Sequence, residues 1–204
     1  MSDEQKIRIP TESDIERILY TTETIKAKTR ELGEQIGRDY SAKRVEEILV
    51  ISILKGAALF SADLIRSIDH DIRKRMDYMI LSSYGEGFSS SGNVKVVLDL
   101  GEDIANKHIL VVEDIVDTGN TLNFLVNGVL PKRNTASVKI CTLLDKPSRR
   151  GEGLSGLKPD YVGFEIPDVF VVGYGLDYMQ YCRDWPFVAV LKEEFYKKLN
   201  FSPQ

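Results

Sequence analysis

Residues 109–122 read Ile-Leu-Val-Val-Glu-Asp-Ile-Val-Asp-Thr-Gly-Asn-Thr-Leu, and this stretch decides the fold. Ile109, Leu110, Val111 and Val112 form a short apolar, largely β-branched run, the pattern of a strand buried on both faces. Glu113 and Asp114 put two carboxylates where that strand should end. Asp117-Thr118-Gly119-Asn120-Thr121 then leads into apolar residues at helical spacing: Leu122, Leu125, Val126 and Val129. A strand, a short Gly- and Thr-containing loop and a helix start make an anion cradle, because backbone N–H groups and hydroxyls converge on one point. Adjacent carboxylates can bind sugar hydroxyls or a divalent metal. An anion site at one end and a polyol or metal site at the other describe a phosphorylated sugar.

The rest of the chain fits around this unit. Its 204 residues suffice for one domain with a substantial core. A net charge of −4 removes the reason to expect general nucleic-acid binding. No apolar run approaches the ~20 residues that span a membrane, and MSDEQKIRIP has no signal-peptide core. Cys141 and Cys182 do not make a disulfide framework and read as buried thiols of a reducing cytoplasm. Asn200-Phe201-Ser202 spells a glycosylation acceptor, set aside as chance without a secretion signal. Only His70 and His108 are present, so a His-rich metal site is excluded and any metal should be hard and oxygen-bound.

Taken in order, Ile15–Tyr20 looks extended. Thr21 or Thr22 can cap a helix to about Tyr40, with Ile25, Leu32, Ile36 and Tyr40 on its core face. Ile48–Ile53 reads as a buried strand. Leu54-Lys55-Gly56-Ala57 follows, then a helix over Leu59–Ile68, so β and α alternate as a parallel sheet requires. Lys55 beside a glycine could serve an anion, or could be a surface lysine in a plain turn. Asp77–Tyr84 and Val94–Leu98 read as strands, and the Gly/Ser-rich Gly85–Asn93 between them is either a hairpin loop or a lid. The helix after the central motif should stop at Pro131. Ser137–Leu144 is another buried strand, with Lys146 just past its end and a basic loop at Ser148–Gly153. Gly151, Gly153 and Gly156 spell G-x-G-x-x-G, but without a strand directly before and a helix directly after, the dinucleotide reading fails. Tyr161–Ile166 and Phe170–Gly173 read as short strands. Aromatic residues then crowd Tyr174–Pro186, and Leu191–Leu199 closes the chain as a helix.

Ile109–Leu122 resembles the 5-phosphoribosyl-1-pyrophosphate (PRPP) motif of phosphoribosyltransferases. From about residue 15 to 192 the order of elements is similar to the hypoxanthine–guanine branch in its bacterial-length form. The resemblance implies an α/β, type I phosphoribosyltransferase fold, with a central, mostly parallel sheet flanked by helices. It divides a single domain into a core over about 22–165, a small hood from about 1–20 and 166–204, and a mobile lid over about 83–95 starting at Ser83-Tyr84.

The resemblance also implies roles. Thr118, Gly119, Asn120 and Thr121 would hold the 5′-phosphate, and Glu113 and Asp114 the ribose hydroxyls, partly through Mg²⁺. Leu54-Lys55-Gly56 matches the pyrophosphate loop, and Arg183 would reach the same group. Lys146 would donate to a 6-oxo group, Phe170 would stack on the base, Val171 would meet its edge through the backbone, and Asp177 would take Mg²⁺. Asp117 would be the general base near N7. Asn120 stands where some members carry lysine, and Asp184-Trp185-Pro186, after Arg183, does not map residue by residue onto base preference. The implied activity is purine salvage: Mg²⁺-dependent transfer from PRPP to hypoxanthine or guanine, giving IMP or GMP and pyrophosphate. A homodimer or homotetramer in the cytoplasm is implied, without nucleic-acid or membrane partners. A xanthine-preferring enzyme and a non-catalytic PRPP- or nucleotide-sensing regulator are the alternatives.

Overall fold

In β2 (Glu47–Leu54) and β5 (His108–Val116), successive residues enter two different cores. Ile48, Val50, Leu110 and Val112 face one hydrophobic cluster, and Leu49, Ile51, Ile109 and Val111 face another. Two-sided burial is the physical reason both strands are continuous apolar runs, each such side chain contributing about 1.5–3 kcal/mol. Ser52, the polar residue within the buried run of β2, accepts a 2.8 Å hydrogen bond from the Ser61 hydroxyl. The computed structural model describes residues 8–69, 71–84 and 93–196.

The chain continues from β1 (Ile15–Tyr20) through α1 (Thr22–Ala42), β2, α2 (Ala58–Ser67), β3 (Arg73–Tyr84) and β4 (Asn93–Leu98) to β5. After β5 come α3 (Asn120–Asn123), β6 (Ser137–Asp145), β7 (Tyr161–Glu165), β8 (Val171–Val172), β9 (Val188–Leu191) and α4 (Glu193–Tyr196). Six strands form one sheet in the order β4-β3-β2-β5-β6-β7, antiparallel only between β3 and β4. This is the mostly parallel sheet expected. β1, β9 and β8 make a separate antiparallel sheet that ties the N-terminal segment to the C-terminal one, the small hood of the expected fold.

α1 and α2 cover the first face. Thr21 caps α1 by accepting from the Thr24 N–H, and the Ile25, Leu32, Ile36 and Tyr40 stripe is buried as its spacing requires. The two helices approach closely at Gly33, where an added Cβ would stand 2.6 Å from Ser67. Leu122, Leu125 and Leu130 cover the opposite face.

Several boundaries differ from the sequence reading. β3 begins at Arg73 rather than Asp77, because Arg73–Met76, charged at its first three positions, pairs with Glu47–Val50 of β2. The helix after the central motif is α-helical only over Asn120–Asn123, continues as a π-helix over Phe124–Val129, and passes Pro131 as a 3₁₀ turn at Pro131–Arg133. Proline at the first position of that turn lacks only an N–H that needs no partner there. Leu191 does not start a helix. It ends the strand β9, which the sequence reading missed, and α4 begins at Glu193. The remainder of that expected helix, the Gly85–Ser91-Gly92 part of the expected lid, His70 and Asn200-Phe201-Ser202 lie outside the described residues.

Candidate active site

The strand order runs outward in both directions from the junction of β2 and β5, so that junction is a switch point where a crevice opens beyond the strands' C-terminal ends. β2 ends there in Leu54-Lys55-Gly56, with a cis Leu54–Lys55 peptide bond. β5 ends in Glu113–Val116, followed by the loop Asp117-Thr118-Gly119. β6 ends in Asp145, next to Lys146. The β5/β6 register pairs Val116 with Asp145, which brings Asp117 and Lys146 side by side.

Gly119 has φ +83°, the left-handed conformation that glycine adopts without a Cβ penalty. It turns the chain into the helix and leaves a cavity of about 90 Å³ lined by Glu113, Asp117, Thr118, Gly119 and Thr121. Asn120 N–H donates to Thr118 Oγ1 at 3.4 Å.

Lys146 has no exposed side chain at all, yet its Nζ lies 3.5 Å from Asp117 Oδ2 and 3.8 Å from Asp168 Oδ1. Burial pulls its basicity below the ordinary lysine value, against the two carboxylates. Arg149 Nε is 3.0 Å from Asp117 Oδ1 and 3.5 Å from Asp168 Oδ1. Two cations and two carboxylates thus form one network at the mouth of β6.

A second cluster gathers on the β2 side. Gly56 packs so tightly on Asp114 that an added Cβ would stand 1.7 Å from Asp114 Oδ2. Arg183 Nη2 pairs with Asp177 Oδ1 at 2.6 Å, and its Nη1 donates to the Gly175 carbonyl at 2.6 Å. Lys55 Nζ donates to Gln180 Oε1 at 2.9 Å, and Gln180 N–H donates to Asp177 Oδ2 at 2.7 Å. Lys55, Gly56, Asp114, Asp177 and Arg183 are therefore brought together; the sequence reading expects Lys55, Gly56 and Arg183 at pyrophosphate and Asp114 and Asp177 at Mg²⁺.

Burial, with the Asp114 charge beside it, pushes the Glu113 carboxyl well above the usual carboxylate range. Burial raises Asp114 to about 6, against N–H donors of the local backbone and the nearby Arg183. Glu113 Oε2 and Arg183 Nε are buried without hydrogen-bond partners among the described residues. An unpartnered buried polar atom is costly unless a ligand completes it. Among the described residues no three carboxylate, His or Cys groups converge as a metal cage, so Glu113, Asp114 and Asp177 do not assemble as one three-carboxylate set. A few hard oxygen donors without a full cage still suit Mg²⁺, which keeps waters and takes ligands from phosphates.

Phe170 and Val171 are only 3% and 4% exposed. The Phe170 ring packs edge-on to Tyr178 at 6.1 Å, and the Val171 side chain enters the main core, leaving its backbone at the sheet edge. Ser83 and Tyr84 end β3, paired with Val94 and Asn93.

Sequence reasoning missed Arg149, Arg150, Asp168 and Gln180. The two arginines were legible as a basic loop, and the signal for their inward role was their place directly after a strand-end lysine. Gln180 and Asp168 carry no sequence signal, since only the irregular backbone of 174–183 and the β7–β8 turn brings them to the site.

A doubly wound sheet whose switch point carries paired carboxylates and a Gly- and Thr-lined cavity suits a nucleotide- or sugar-phosphate-handling protein. The chain belongs to the phosphoribosyl transferase domain family, which matches residues 17–179, and has the type I phosphoribosyltransferase fold. It is 45% identical over 187 residues to the hypoxanthine-guanine phosphoribosyltransferase of Streptococcus thermophilus, covering 92% of this chain and 99% of that protein. It is 46% identical over 184 residues to the enzyme of the same name from Bacillus subtilis, covering 90% and 97%. The crystal structure of a hypoxanthine phosphoribosyltransferase from Staphylococcus aureus superposes with a TM-score of 0.81 at 43% identity, covering 90% of this chain and 95% of that one.

Proposed function

We propose that this chain salvages purines by transferring the 5-phosphoribosyl group of PRPP to hypoxanthine or guanine, releasing pyrophosphate and forming IMP or GMP. The observation that carries the reading is the pair Lys146 and Asp117, with Nζ and Oδ2 3.5 Å apart. A 6-oxo purine presents an O6 acceptor next to N7 along one edge, whereas adenine presents an amino donor next to N7. A buried ammonium beside a carboxylate complements the first edge: Lys146 donates to O6 and Asp117 accepts the N7 proton. Adenine would leave the Lys146 donor facing another donor, which a site rejects strongly.

The purine N9 lone pair forms the bond to C1′ as the C1′–oxygen bond to pyrophosphate breaks, and that electron pair leaves with pyrophosphate. Asp117 takes the proton released at N7. Thr118, Gly119, Asn120 and Thr121 hold the 5′-phosphate and so fix C1′ in line. Lys55 and Arg183 meet the charge that grows on the leaving group. Glu113, Asp114 and Asp177 are the residues that would hold Mg²⁺, whose chemistry here is charge neutralisation on pyrophosphate. Their oxygen donors, including the orphaned Glu113 Oε2, fit such an ion. Phe170 and the Val171 backbone contact the base. The small sheet acts as the hood over it. The protein works in the cytoplasm as a homodimer or homotetramer, which light scattering checks.

The test is nucleotide formation from PRPP with hypoxanthine, guanine, xanthine and adenine in parallel, with Mg²⁺ and with excess chelator. Turnover of 6-oxo bases alone, abolished by the chelator, is the expected outcome. PRPP binding without product from any base would sink the catalytic reading.

A further inference from the structure

Arg150 has no part in the reading above, although its side chain is only 5% exposed. Its guanidinium lies beneath the phosphate loop. Nη1 donates to the carbonyls of Asp117 at 2.7 Å, Val116 at 3.1 Å and Lys146 at 3.3 Å. Nε donates to the Leu157 carbonyl at 3.3 Å, and Nη2 pairs with the buried Asp145 carboxylate. The next residue continues the pattern: Gly151 N–H donates to the Thr118 carbonyl at 2.9 Å. Arg150 Cδ and Leu157 Cδ2 also close the loop's underside, 3.3 and 2.8 Å from where a Cβ on Gly119 would sit.

These bonds fix a polarity. In a planar trans peptide the C=O and the following N–H point in opposite directions. The carbonyls of Val116, Asp117 and Thr118 all turn toward 150–151. The N–H groups of Asp117, Thr118 and Gly119 therefore turn the other way, toward the cavity that Asp117, Thr118, Gly119 and Thr121 line. An array of N–H groups on one side of a loop is what an anion requires. The Asp145 carboxylate neutralises the arginine where it is buried, so the guanidinium acts through the loop and not as a charge offered to the ligand.

We infer that Arg150 is a positioning residue that orients the phosphate-binding loop: by gathering its carbonyls underneath, it aims the N–H groups of Asp117–Gly119 at the 5′-phosphate of PRPP. This inference rests on the proposed PRPP site at Thr118–Thr121. A lysine cannot replace Arg150, because one ammonium cannot reach acceptors spread around a planar fork. Arg150 and Asp145 also line a cavity of about 300 Å³, so a small solute can reach the vacated position.

The experiment measures kcat and separate KM values for PRPP and hypoxanthine in wild type, Arg150→Ala and Arg150→Lys, with and without millimolar guanidinium chloride. For Arg150→Ala the KM for PRPP should rise about 10- to 100-fold while the KM for hypoxanthine stays within about threefold. Added guanidinium should recover about fivefold or more of the PRPP affinity, whereas added ammonium should not. A merely structural role would move both KM values together and show no selective rescue. If Arg150→Ala does not fold, Arg150→Lys decides the matter, since it keeps the charge for Asp145 and loses the fork. An unchanged KM for PRPP in that variant overturns the inference. A wild type that turns over PRPP while both variants keep its KM overturns this inference alone. A wild type that does not use PRPP overturns the proposed function and the inference with it.

Discussion

Arg149 Nε holds Asp117 Oδ1 at 3.0 Å, so the carboxylate proposed to take the purine proton is already fixed in orientation before any base arrives. Asparagine at this position keeps the shape and one acceptor for Arg149 but cannot take a proton. Asp117→Asn should lower kcat by about 10²- to 10⁴-fold, the range for loss of a general base. The melting temperature should change little, because the Arg149 contact survives. A variant with wild-type kcat would remove Asp117 from the chemistry.

Lys146 should be needed for base choice and should not help the fold. Its ammonium is wholly buried, and its lowered basicity records a cost of keeping the charge there. In Lys146→Met, Asp117 and Asp168 retain Arg149, so neither of these two carboxylates is left without a cation. We expect kcat/KM for hypoxanthine to fall about 10- to 100-fold, as for loss of a charged hydrogen bond, and stability to hold or rise. The pH sign follows from linkage. A lysine whose basicity is lowered on folding binds fewer protons in the native than in the unfolded state between the two pKa values, so stability rises with pH there. Denaturant melts at increasing pH, up to the ordinary lysine value of 10.5, should therefore show wild type gaining on Lys146→Met. A gap moving the opposite way would contradict the buried-charge account.

The sheet was legible because β2, β5 and β6 are buried on both faces and had to be written in apolar residues. The central motif was legible because the turn after β5 needs a residue at φ +83°, which Gly119 supplies between the hydroxyls of Thr118 and Thr121. β9 was not. Val188–Leu191 is a four-residue apolar run whose strand character comes from pairing with β1, a partner more than 160 residues away in the chain, and short apolar runs look alike in helix and strand. The start of β3 was hidden because a charged strand shows no hydrophobic period. Arg150 reads in sequence only as part of a basic loop, since most of its partners are main-chain carbonyls that leave no trace there.

Cys141 and Cys182 should be chemically silent in the native protein. Both are buried, and burial holds both thiols above their ordinary value, with Cys182 at about 11. The reactive species is the thiolate, which is scarce near neutral pH at such values. A chromogenic disulfide reagent at pH 7.5 should label neither residue rapidly and both after denaturation. Fast labelling of Cys182, which neighbours Arg183, would mean that the 174–183 segment opens in solution.

The glycines separate close approach from mere flexibility. A Cβ on Gly56 would stand 1.7 Å from Asp114 Oδ2, and one on Gly175 would stand 2.0 Å from the Gly56 carbonyl, where φ is also +103°. Gly56→Ala must displace the Asp114 carboxylate or the loop proposed to hold pyrophosphate, so PRPP turnover should fall by about 10²-fold or more, the scale of a misplacement near 1 Å. Gly156 has the same residue type and open space around its Cβ position, with nothing within 4 Å. Gly156→Ala should leave activity unchanged and shift stability by about +0.4 to +1 kcal/mol through the unfolded chain, provided its backbone accommodates alanine. Steady-state kinetics and denaturant melts on the two variants check both halves. Equal activity in the two would show that Gly56 is not where backbone and carboxylate meet.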